Sequence, residues 1–339
     1  MTEVTERCAA FLSHAGWGCA ERQALAGDAS TRRYERLVQN GESAVLMIAP
    51  PDSGASTRDF ARMATWLRER CYSPPALLAE DHVYGLLLLE DLGDALIARL
   101  IEDDPRRQPQ FYSAATDFLS DLRRHSTPEF VKPLDGAALG ALVALVPRWY
   151  LPGVGEAQNS AANALPEVVE AEYERISTGP LITSLRDFHS ENLIWLPDRT
   201  GLARLGLLDF QDAVAAHPAY DLVSLLQDAR RDVPEEIELN MVGRYVEANG
   251  EDPERFGAIY SLLGAQRALR IIGIFARLSL HRGKPRYLAH IPRVWRYLMR
   301  NLAHKSLERL AAAVSEGLPE PTPERIRRIE DQCGKHPTP

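Results

Sequence analysis

The feature that most constrains the fold of this chain is a short β segment inside a long helical region. The apolar run Leu193–Trp195 is separated from a second apolar run, Ala203–Leu208, by the turn-forming residues 197–201. Two apolar runs around such a turn predict a β-hairpin. Residues 139–146 before the hairpin have helical spacing, and the pattern after residue 218 is helical again. We therefore expect a helical region with one β-hairpin set into it.

Polar residues flank this hairpin on both sides. Asp187 lies five positions before Asn192 ahead of the first strand, and Asp209-Phe210 ends the second strand. D-x-x-x-x-N is the spacing of a kinase catalytic loop, and kinases place a metal-binding aspartate one hairpin further on. Phosphoryl transfer needs an acceptor for the hydroxyl proton and hard oxygen ligands for magnesium. We predict that Asp187 is the catalytic base and that Asn192 and Asp209 are metal ligands. The alternative is a helix cap, a turn residue and a solvated strand end.

Composition restricts the class of protein. A chain of 339 residues with a net charge of −8 is long enough for two packed lobes and lacks the basic balance that is usual for a nucleic-acid binder. We therefore expect no nucleic-acid partner. The apolar runs are far shorter than the roughly 18 residues of a membrane span, and the N-terminus does not resemble a signal peptide. The cysteines are too far apart for a zinc or disulfide framework, which favours a cytoplasmic protein without membrane partners: Cys8, Cys19, Cys71 and Cys333.

The first 90 residues have mainly strand signals. Asn40-Gly41 lies between two apolar runs and predicts a tight hairpin, because both residue types tolerate the positive φ of a type I′ turn. Helices are predicted over residues 2–17 and 57–70, and a strand over residues 83–89. Helices dominate after Gly93, and the chain ends in a charged, proline-rich tail that we expect to fray.

Several stretches resemble the aminoglycoside phosphotransferase and choline kinase superfamily. Its H-G-D-x-H-x-x-N motif matches Asp187, His189 and Asn192, with Leu185 where a histidine is common. Within this superfamily, four further stretches resemble the bacterial N-acetylmuramate/N-acetylglucosamine anomeric kinases, which act in peptidoglycan recycling. These stretches are Gly27–Tyr34, Leu88–Asp94, Asp209–Ala213 and His217–Leu222.

The resemblance implies an α+β, bilobal protein-kinase-like fold with a strand-rich N-lobe (residues 1–89) and a mainly helical C-lobe (residues 90–339). It also implies the use of ATP and Mg²⁺. Asp221 would support the catalytic loop. The nucleotide would be held by a phosphate-covering loop of Gly27, Asp28, Ala29 and Ser30 and by an adenine-binding segment of Leu89, Glu90 and Asp91. The candidate sugar-binding residues are His189, Trp149, Tyr150 and Asp212, with loop packing as the alternative for the histidine and core packing for the aromatic pair.

One departure from related kinases concerns nucleotide binding. The strand at residues 44–48 contains no lysine, and Met47 occupies the place where one is expected. Another cation must then neutralise the phosphates. The nearest candidates are Arg32, Arg33 and Arg36, for which a solvated strand face is the alternative.

The resemblance thus implies an ATP-dependent kinase for the anomeric hydroxyl of N-acetylmuramate and N-acetylglucosamine. A kinase of the same fold that acts on an aminoglycoside or a choline-like alcohol is the first alternative. A nucleotide-binding pseudokinase is the second, because the lysine is missing. The presence of Asp187, Asn192 and Asp209 argues against a pseudokinase.

Overall fold

The chain divides into two compact units in a computed structural model that describes residues 2–25, 32–49 and 56–336. Unit 1 comprises Met1–Phe118 and Ser190–Ala213, and unit 2 comprises Leu119–His189 and Val214–Pro339. Strands dominate the N-terminal part of unit 1 and helices dominate unit 2, as predicted for an α+β chain. The lobe boundary between residues 89 and 90 stays a prediction. The predicted phosphate-covering loop, Gly27–Ser30, lies outside the described residues.

Unit 1 is organised around an antiparallel sheet. The elements of unit 1 are α1 (Thr2–His14), β1 (Glu21–Ala24), β2 (Arg33–Gln39), β3 (Glu42–Ile48), α2 (Thr57–Arg68), β4 (Leu77–Asp81), β5 (Leu86–Glu90), α3 (Ile97–Asp103), the first part of α4 (Gln108–Leu122), β8 (Leu193–Trp195) and β9 (Leu205–Leu207). The strand order of the sheet among the described residues is β1-β2-β3-β5-β4.

The predicted Asn40-Gly41 hairpin joins β2 to β3. Asn40 has φ 54° and Gly41 has φ 84°, which are the left-handed angles that this turn requires. Alternation along the strands then separates two faces. One face packs with α1 in a cluster that contains Leu12, Leu37 and Leu46. The other face carries Tyr34, Arg36, Val45 and Met47.

The strand that we predicted over residues 83–89 is shifted in the structure. β5 runs from Leu86 to Glu90, and residues 82–85 form a turn. The carboxylate of Asp81 holds this turn by accepting the backbone N–H groups of Val83 at 3.1 Å and Tyr84 at 3.2 Å. The hydrogen bonds to the Asp81 carboxylate therefore outweigh the strand propensity of Val83 and Tyr84. By contrast, the hairpin near residue 200 forms as predicted, with β8 antiparallel to β9.

Unit 2 is mainly helical. Its elements are the end of α4, β6 (Lys132–Pro133), α5 (Gly136–Val143), a π-helical turn (Val146–Tyr150), α6 (Leu151–Gly153), α7 (Ser160–Asn163), α8 (Leu165–Ile176), β7 (Ile182–Ser184), β10 (Val214–Ala216), α9 (Ala219–Leu226), α10 (Glu235–Asn249), α11 (Pro253–Leu280), α12 (Ile291–Leu302), α13 (Glu308–Gly317) and α14 (Pro323–Asp331).

The long helix α11 lies in the core of unit 2. Among the described residues it is the one helix long and apolar enough to cross a membrane, but 83% of its most apolar window is buried within the protein. Such burial is typical of a core helix in a soluble protein. The proline-rich tail is ordered through α14, where Ile329 is fully buried, and residues 337–339 lie outside the described part of the chain.

Candidate active site

Asp221 anchors the backbone turn that precedes Asp187. Its carboxylate accepts a hydrogen bond from the hydroxyl of Ser184 at 2.7 Å, and from the backbone N–H groups of Leu185 at 2.6 Å and Arg186 at 2.9 Å. Arg186 has φ 72°, a left-handed angle that costs about 1–2 kcal/mol for a residue with a side chain. The three bonds to a buried carboxylate stabilise this turn. Asp221 therefore supports the turn that leads into the candidate catalytic loop.

The carboxylate of Asp187 lies in a positive environment within unit 2. Burial by itself would raise its pKa, but the charges of Arg270, Arg267, His189 and Arg186 outweigh burial and hold the pKa below its usual range. The guanidinium of Arg267 is fixed by the backbone oxygen of Arg186 at 3.2 Å. Asp187 is therefore ionised at neutral pH, in the form that can accept a proton.

Burial shifts the pKa of two further groups, one in α9 and one just before it. It raises the pKa of Asp221 to about 6, although the bonds from Ser184, Leu185 and Arg186 oppose this shift. Burial, with a smaller effect from Arg123, lowers the pKa of His217 to about 4. The Nδ1 atom of His217 accepts the backbone N–H of Ala219 at 3.1 Å, at the start of α9. The neutral form of this histidine is therefore part of the helix start.

The predicted sugar-binding side chains of unit 2 are buried in this structure. Nε2 of His189 lies 3.4 Å from the guanidinium of Arg230. The Tyr150 hydroxyl donates to the backbone oxygen of Pro319 at 2.8 Å, and the ring is fully buried. Trp149 is 5% exposed, with its ring centroid 6.0 Å from that of His281. Packing accounts for Tyr150 fully here, and a sugar contact for these residues stays a prediction.

Asn192 and Asp209 are brought together in unit 1 by the β8–β9 hairpin. The backbone N–H of Leu208 donates to the backbone oxygen of Asn192 at 2.9 Å. One candidate metal ligand therefore accepts this hydrogen bond, and the other directly follows its donor in the chain. Asp209 has φ 55° and a side chain that is 43% exposed. Phe210 is buried and its ring centroid lies 4.8 Å from that of Phe60 in α2. The buried phenylalanine thus anchors the segment while the preceding carboxylate remains accessible.

Arg32 lies against the candidate metal ligand. Its guanidinium is 3.0 Å from Oδ1 of Asp209 and 3.6 Å from Oδ2 of Asp212, and its side chain is 10% exposed. The amide of Gln211 donates to the same two carboxylates, at 2.8 Å and 3.0 Å. Interactions with Tyr34, Asp209 and Asp212 outweigh burial and raise the pKa of Arg32. A fixed positive charge is therefore present beside the proposed magnesium position.

The other two candidate arginines have different surroundings. Arg36 is paired with Asp91 at 2.7 Å and with Asp94 at 2.8 Å, and these bonds raise its pKa. Arg33 is exposed and, by strand alternation, lies on the α1 face. Met47, at the expected lysine position, is buried opposite Tyr34. Of the three arginines, only Arg32 contacts a candidate metal ligand among the described residues.

Glu90, in the proposed adenine-binding segment, is held by neighbouring groups of unit 1. Its backbone N–H donates to the backbone oxygen of Ala76 at 2.8 Å, and its carboxylate accepts the N–H of Ala76 at 3.1 Å. The carboxylate is also paired with Arg199. Because that backbone donor is already used, any hydrogen bond to adenine must come from other backbone groups of the segment. The adenine-binding role of Leu89, Glu90 and Asp91 stays a prediction.

Sequence reasoning did not identify the arginines that surround Asp187. Arg267 and Arg270 lie three positions apart in the largely apolar second half of helix α11, and Arg267 is only 7% exposed. An arginine in an apolar helix is rarely buried without a partner, so this pattern is the signal that was available. It does not say which carboxylate the arginines face.

Comparison with known proteins agrees with this geometry. The model of the phosphotransferase enzyme family matches residues 21–259. An N-acetylmuramate/N-acetylglucosamine kinase of Caulobacter vibrioides is 41% identical, in an alignment that covers 90% of this chain and 94% of that protein. The kinase of the same name from Pseudomonas aeruginosa is 31% identical, with 89% and 92% covered.

Solved structures show the same fold at low identity. A choline/ethanolamine kinase family protein from Mesorhizobium loti has a TM-score of 0.61 at 17% identity, covering 93% of this chain and all of that one. The aminoglycoside phosphotransferase APH(2'')-IIa, solved as a gentamicin complex, has a TM-score of 0.57 at 12% identity, with 98% of each chain covered. These likenesses confirm the protein-kinase-like fold. The chain belongs to the phosphotransferase enzyme family, among relatives that are N-acetylmuramate/N-acetylglucosamine kinases.

Proposed function

We propose that this enzyme transfers the γ-phosphate of ATP to the anomeric hydroxyl of N-acetylmuramate and N-acetylglucosamine. The products are sugar 1-phosphates, and the setting is peptidoglycan recycling in the cytoplasm. The observation that carries the proposal is the 41% identity to a kinase of this name over 90% of the chain. The site chemistry within each unit supports it.

Asp187 is the proposed base. Its carboxylate is ionised because Arg270 and Arg267 hold its pKa below the usual range. It orients the anomeric hydroxyl and accepts the proton that this hydroxyl loses as the new phosphate ester bond forms. An anomeric hydroxyl is more acidic than an ordinary alcohol, so a carboxylate is an adequate acceptor. A base of this kind contributes about 10²- to 10⁴-fold to the rate.

Asn192 and Asp209 are the proposed magnesium ligands. The carboxylate of Asp209 is accessible, and its Oδ1 atom pairs with the guanidinium of Arg32. An aspartate and an amide oxygen are the hard donors that magnesium prefers, and phosphates complete the shell in kinases. Bound magnesium would neutralise the phosphate charge of ATP. Arg32 is the proposed substitute for the missing lysine, and the segment Gly27–Ser30 is the proposed phosphate cover.

Two features argue against the alternative functions. The intact set of Asp187, Asn192 and Asp209 opposes a pseudokinase. The aminoglycoside and choline kinases are similar in fold only, at identities between 10% and 18% for the solved structures. For the sugar, His189, Trp149 and Asp212 remain proposed contacts. If the protein forms hydrogen bonds to the acetamido group, its own polar groups are left unpaired when a sugar without that group binds.

The test is a comparison of kcat/KM with ATP and magnesium. The panel is N-acetylmuramate, N-acetylglucosamine, glucose, choline and kanamycin, with the product position determined by phosphorus NMR. We expect the two acetylated sugars to be preferred and phosphorylated at C1, with glucose much poorer. Comparable rates on kanamycin or choline, or transfer to C6, would overturn the substrate assignment.

A further inference from the structure

Four arginines of unit 2 lie near one another along the C-terminal half of α11, and one of them also acts on Asp187. They are Arg148, Arg270, Arg277 and Arg282, and we call them the arginine cluster. The packing that brings them together is direct. A Cβ added at Gly273 would lie 2.6 Å from the backbone of Leu145, so α11 contacts the chain just before the π-helical turn that carries Arg148. The ring of Trp149, the next residue, faces His281 at the C-terminus of α11.

Two members of the cluster, Arg277 and Arg282, have no carboxylate partner among the residues that the structure describes. Among the described residues, the side chains of Arg277 and Arg282 form no hydrogen bond or ion pair, and Arg277 is only partly exposed. Burial, together with the charges of Arg282, Arg148 and Arg270, lowers the pKa of Arg277. Gathering like charges in a partly buried place destabilises the fold unless an anion binds there. In a chain with a net charge of −8, this arrangement points to a site for a negative ligand group.

The cluster extends from the base along one helix face. Arg270 acts electrostatically on Asp187, and its Nη1 donates to the hydroxyl of Tyr220 at 3.1 Å. Arg277 lies seven residues further along α11. Seven residues are close to two helical turns, so both arginines share one face about 10 Å apart. A ligand with its reacting hydroxyl at Asp187 therefore has an anion site one to two helical turns away.

We infer that the arginine cluster binds the carboxylate of the lactyl group of N-acetylmuramate, with Arg277 as its principal donor. This inference rests on the proposed function and deepens it. N-acetylmuramate differs from N-acetylglucosamine by a lactyl ether on C3, which carries a carboxylate. C2 separates this position from the anomeric carbon, so the carboxylate lies some distance from the reacting hydroxyl. Arginine suits this role because its planar donors match a carboxylate. N-acetylglucosamine has no group for the cluster and is bound without it.

The test is steady-state kinetics of Arg277→Ala with both sugars. We expect the KM for N-acetylmuramate to rise roughly 10- to 100-fold, because a charge-assisted bond is lost. The KM values for N-acetylglucosamine and ATP should stay within about twofold. Arg277→Lys should be intermediate, because it keeps the charge without the planar donors. The control is Arg255→Ala, an exposed arginine at the other end of the same helix, which should change none of these values.

Two further readouts separate a binding role from a structural one. Because Arg277 is surrounded by like charges, its removal should leave the melting temperature unchanged or higher, whereas a structural arginine would lower it. With the neutral methyl ester of N-acetylmuramate, wild type and Arg277→Ala should have similar KM values. If Arg277→Ala does not fold, the exposed Arg282→Ala tests the same selectivity with a smaller effect.

Each other outcome overturns the inference. An equal rise in KM for both sugars would mean that the cluster does not read the carboxylate, and a rise in the KM for ATP would assign it to the nucleotide. Unchanged kinetics in Arg277→Ala would also exclude the site. A wild-type enzyme that uses N-acetylglucosamine but not N-acetylmuramate overturns only this inference. If the wild type turns over neither sugar, the proposed function is wrong and the inference falls with it.

Discussion

The guanidinium of Arg32 lies 3.0 Å from Oδ1 of Asp209. This pair joins a residue that immediately precedes β2 to one that follows β9, 177 positions apart in the chain. It places a permanent cation at the carboxylate that we propose as a magnesium ligand. Since the expected lysine position holds the buried Met47, Arg32 is the cation that we propose for the phosphates of ATP.

Replacing Arg32 tests this role. Arg32→Ala should raise the KM for ATP at least tenfold while changing the sugar KM little, because charge-assisted bonds to phosphate contribute about 1.5–3 kcal/mol. The matched control is Arg33→Ala, the exposed neighbour in β2, which should leave ATP kinetics unchanged. Equal ATP kinetics in Arg32→Ala and wild type would show that the phosphates depend on other groups.

Replacing Asp209 tests the metal site. Asp209→Ala should weaken the binding of ATP in the presence of magnesium at least tenfold, or about 1.4 kcal/mol, and should remove activity. Isothermal titration calorimetry with and without magnesium measures this difference. Asp198→Ala, an exposed aspartate between β8 and β9, is the control. An unchanged magnesium dependence in Asp209→Ala would exclude Asp209 as a ligand.

Replacing Asp187 tests the base. Asp187→Asn is close in shape but cannot accept the proton, so kcat should fall about 10²- to 10⁴-fold. Binding of ADP, measured by calorimetry, should be retained because the change leaves the nucleotide groups of unit 1 intact. A variant that keeps more than half of the wild-type kcat would disprove the assigned role.

Asp221 should act through position rather than contact. Asp221→Ala leaves three donors without their buried acceptor, each at a cost of about 1–3 kcal/mol, so the melting temperature should fall. The released turn at Arg186 should lower kcat more than it changes the KM for ATP. Asp221→Asn keeps one acceptor and should recover part of both losses. If kcat and KM changed in parallel in these variants, simple destabilisation would explain the effect.

His217 should make the fold sensitive to acid. Its folded pKa of about 4 lies below the unfolded value of 6.5, so the unfolded state binds more protons between these values and the free energy of unfolding falls as pH decreases through this window. The loss from this group should be about 2 kcal/mol at pH 5. His217→Asn does not titrate and keeps an acceptor for the N–H of Ala219. Its urea-unfolding free energy should change less between pH 7 and pH 5 than that of wild type, and identical pH profiles would rule out the effect.

The local patterns of this chain were predictable because they depend on neighbouring residues. The Asn40-Gly41 turn, the β8–β9 hairpin and the D-x-x-x-x-N spacing follow from backbone preferences and from chemistry over a few positions. The strand that we predicted over residues 83–89 begins three residues later, because the Asp81 carboxylate accepts the backbone N–H groups of Val83 and Tyr84. Strand propensity does not show this competition between a side-chain acceptor and the hydrogen bonds of a sheet.

The sequence by itself indicated the candidate base and metal ligands through their short-range spacing, and it indicated the fold class through motifs that resemble a known family. Only the tertiary structure decided which arginine serves which carboxylate. The sequence does not distinguish the roles of the three neighbouring arginines. In the structure, Arg32 contacts Asp209, Arg33 is exposed, and Arg36 is paired with Asp91 and Asp94. The arginine cluster was likewise not predictable, because Arg148 is more than a hundred positions from Arg270 and Arg277 and comes near them only when the helices pack. Long-range electrostatics depends on distance in space, which a linear sequence does not contain.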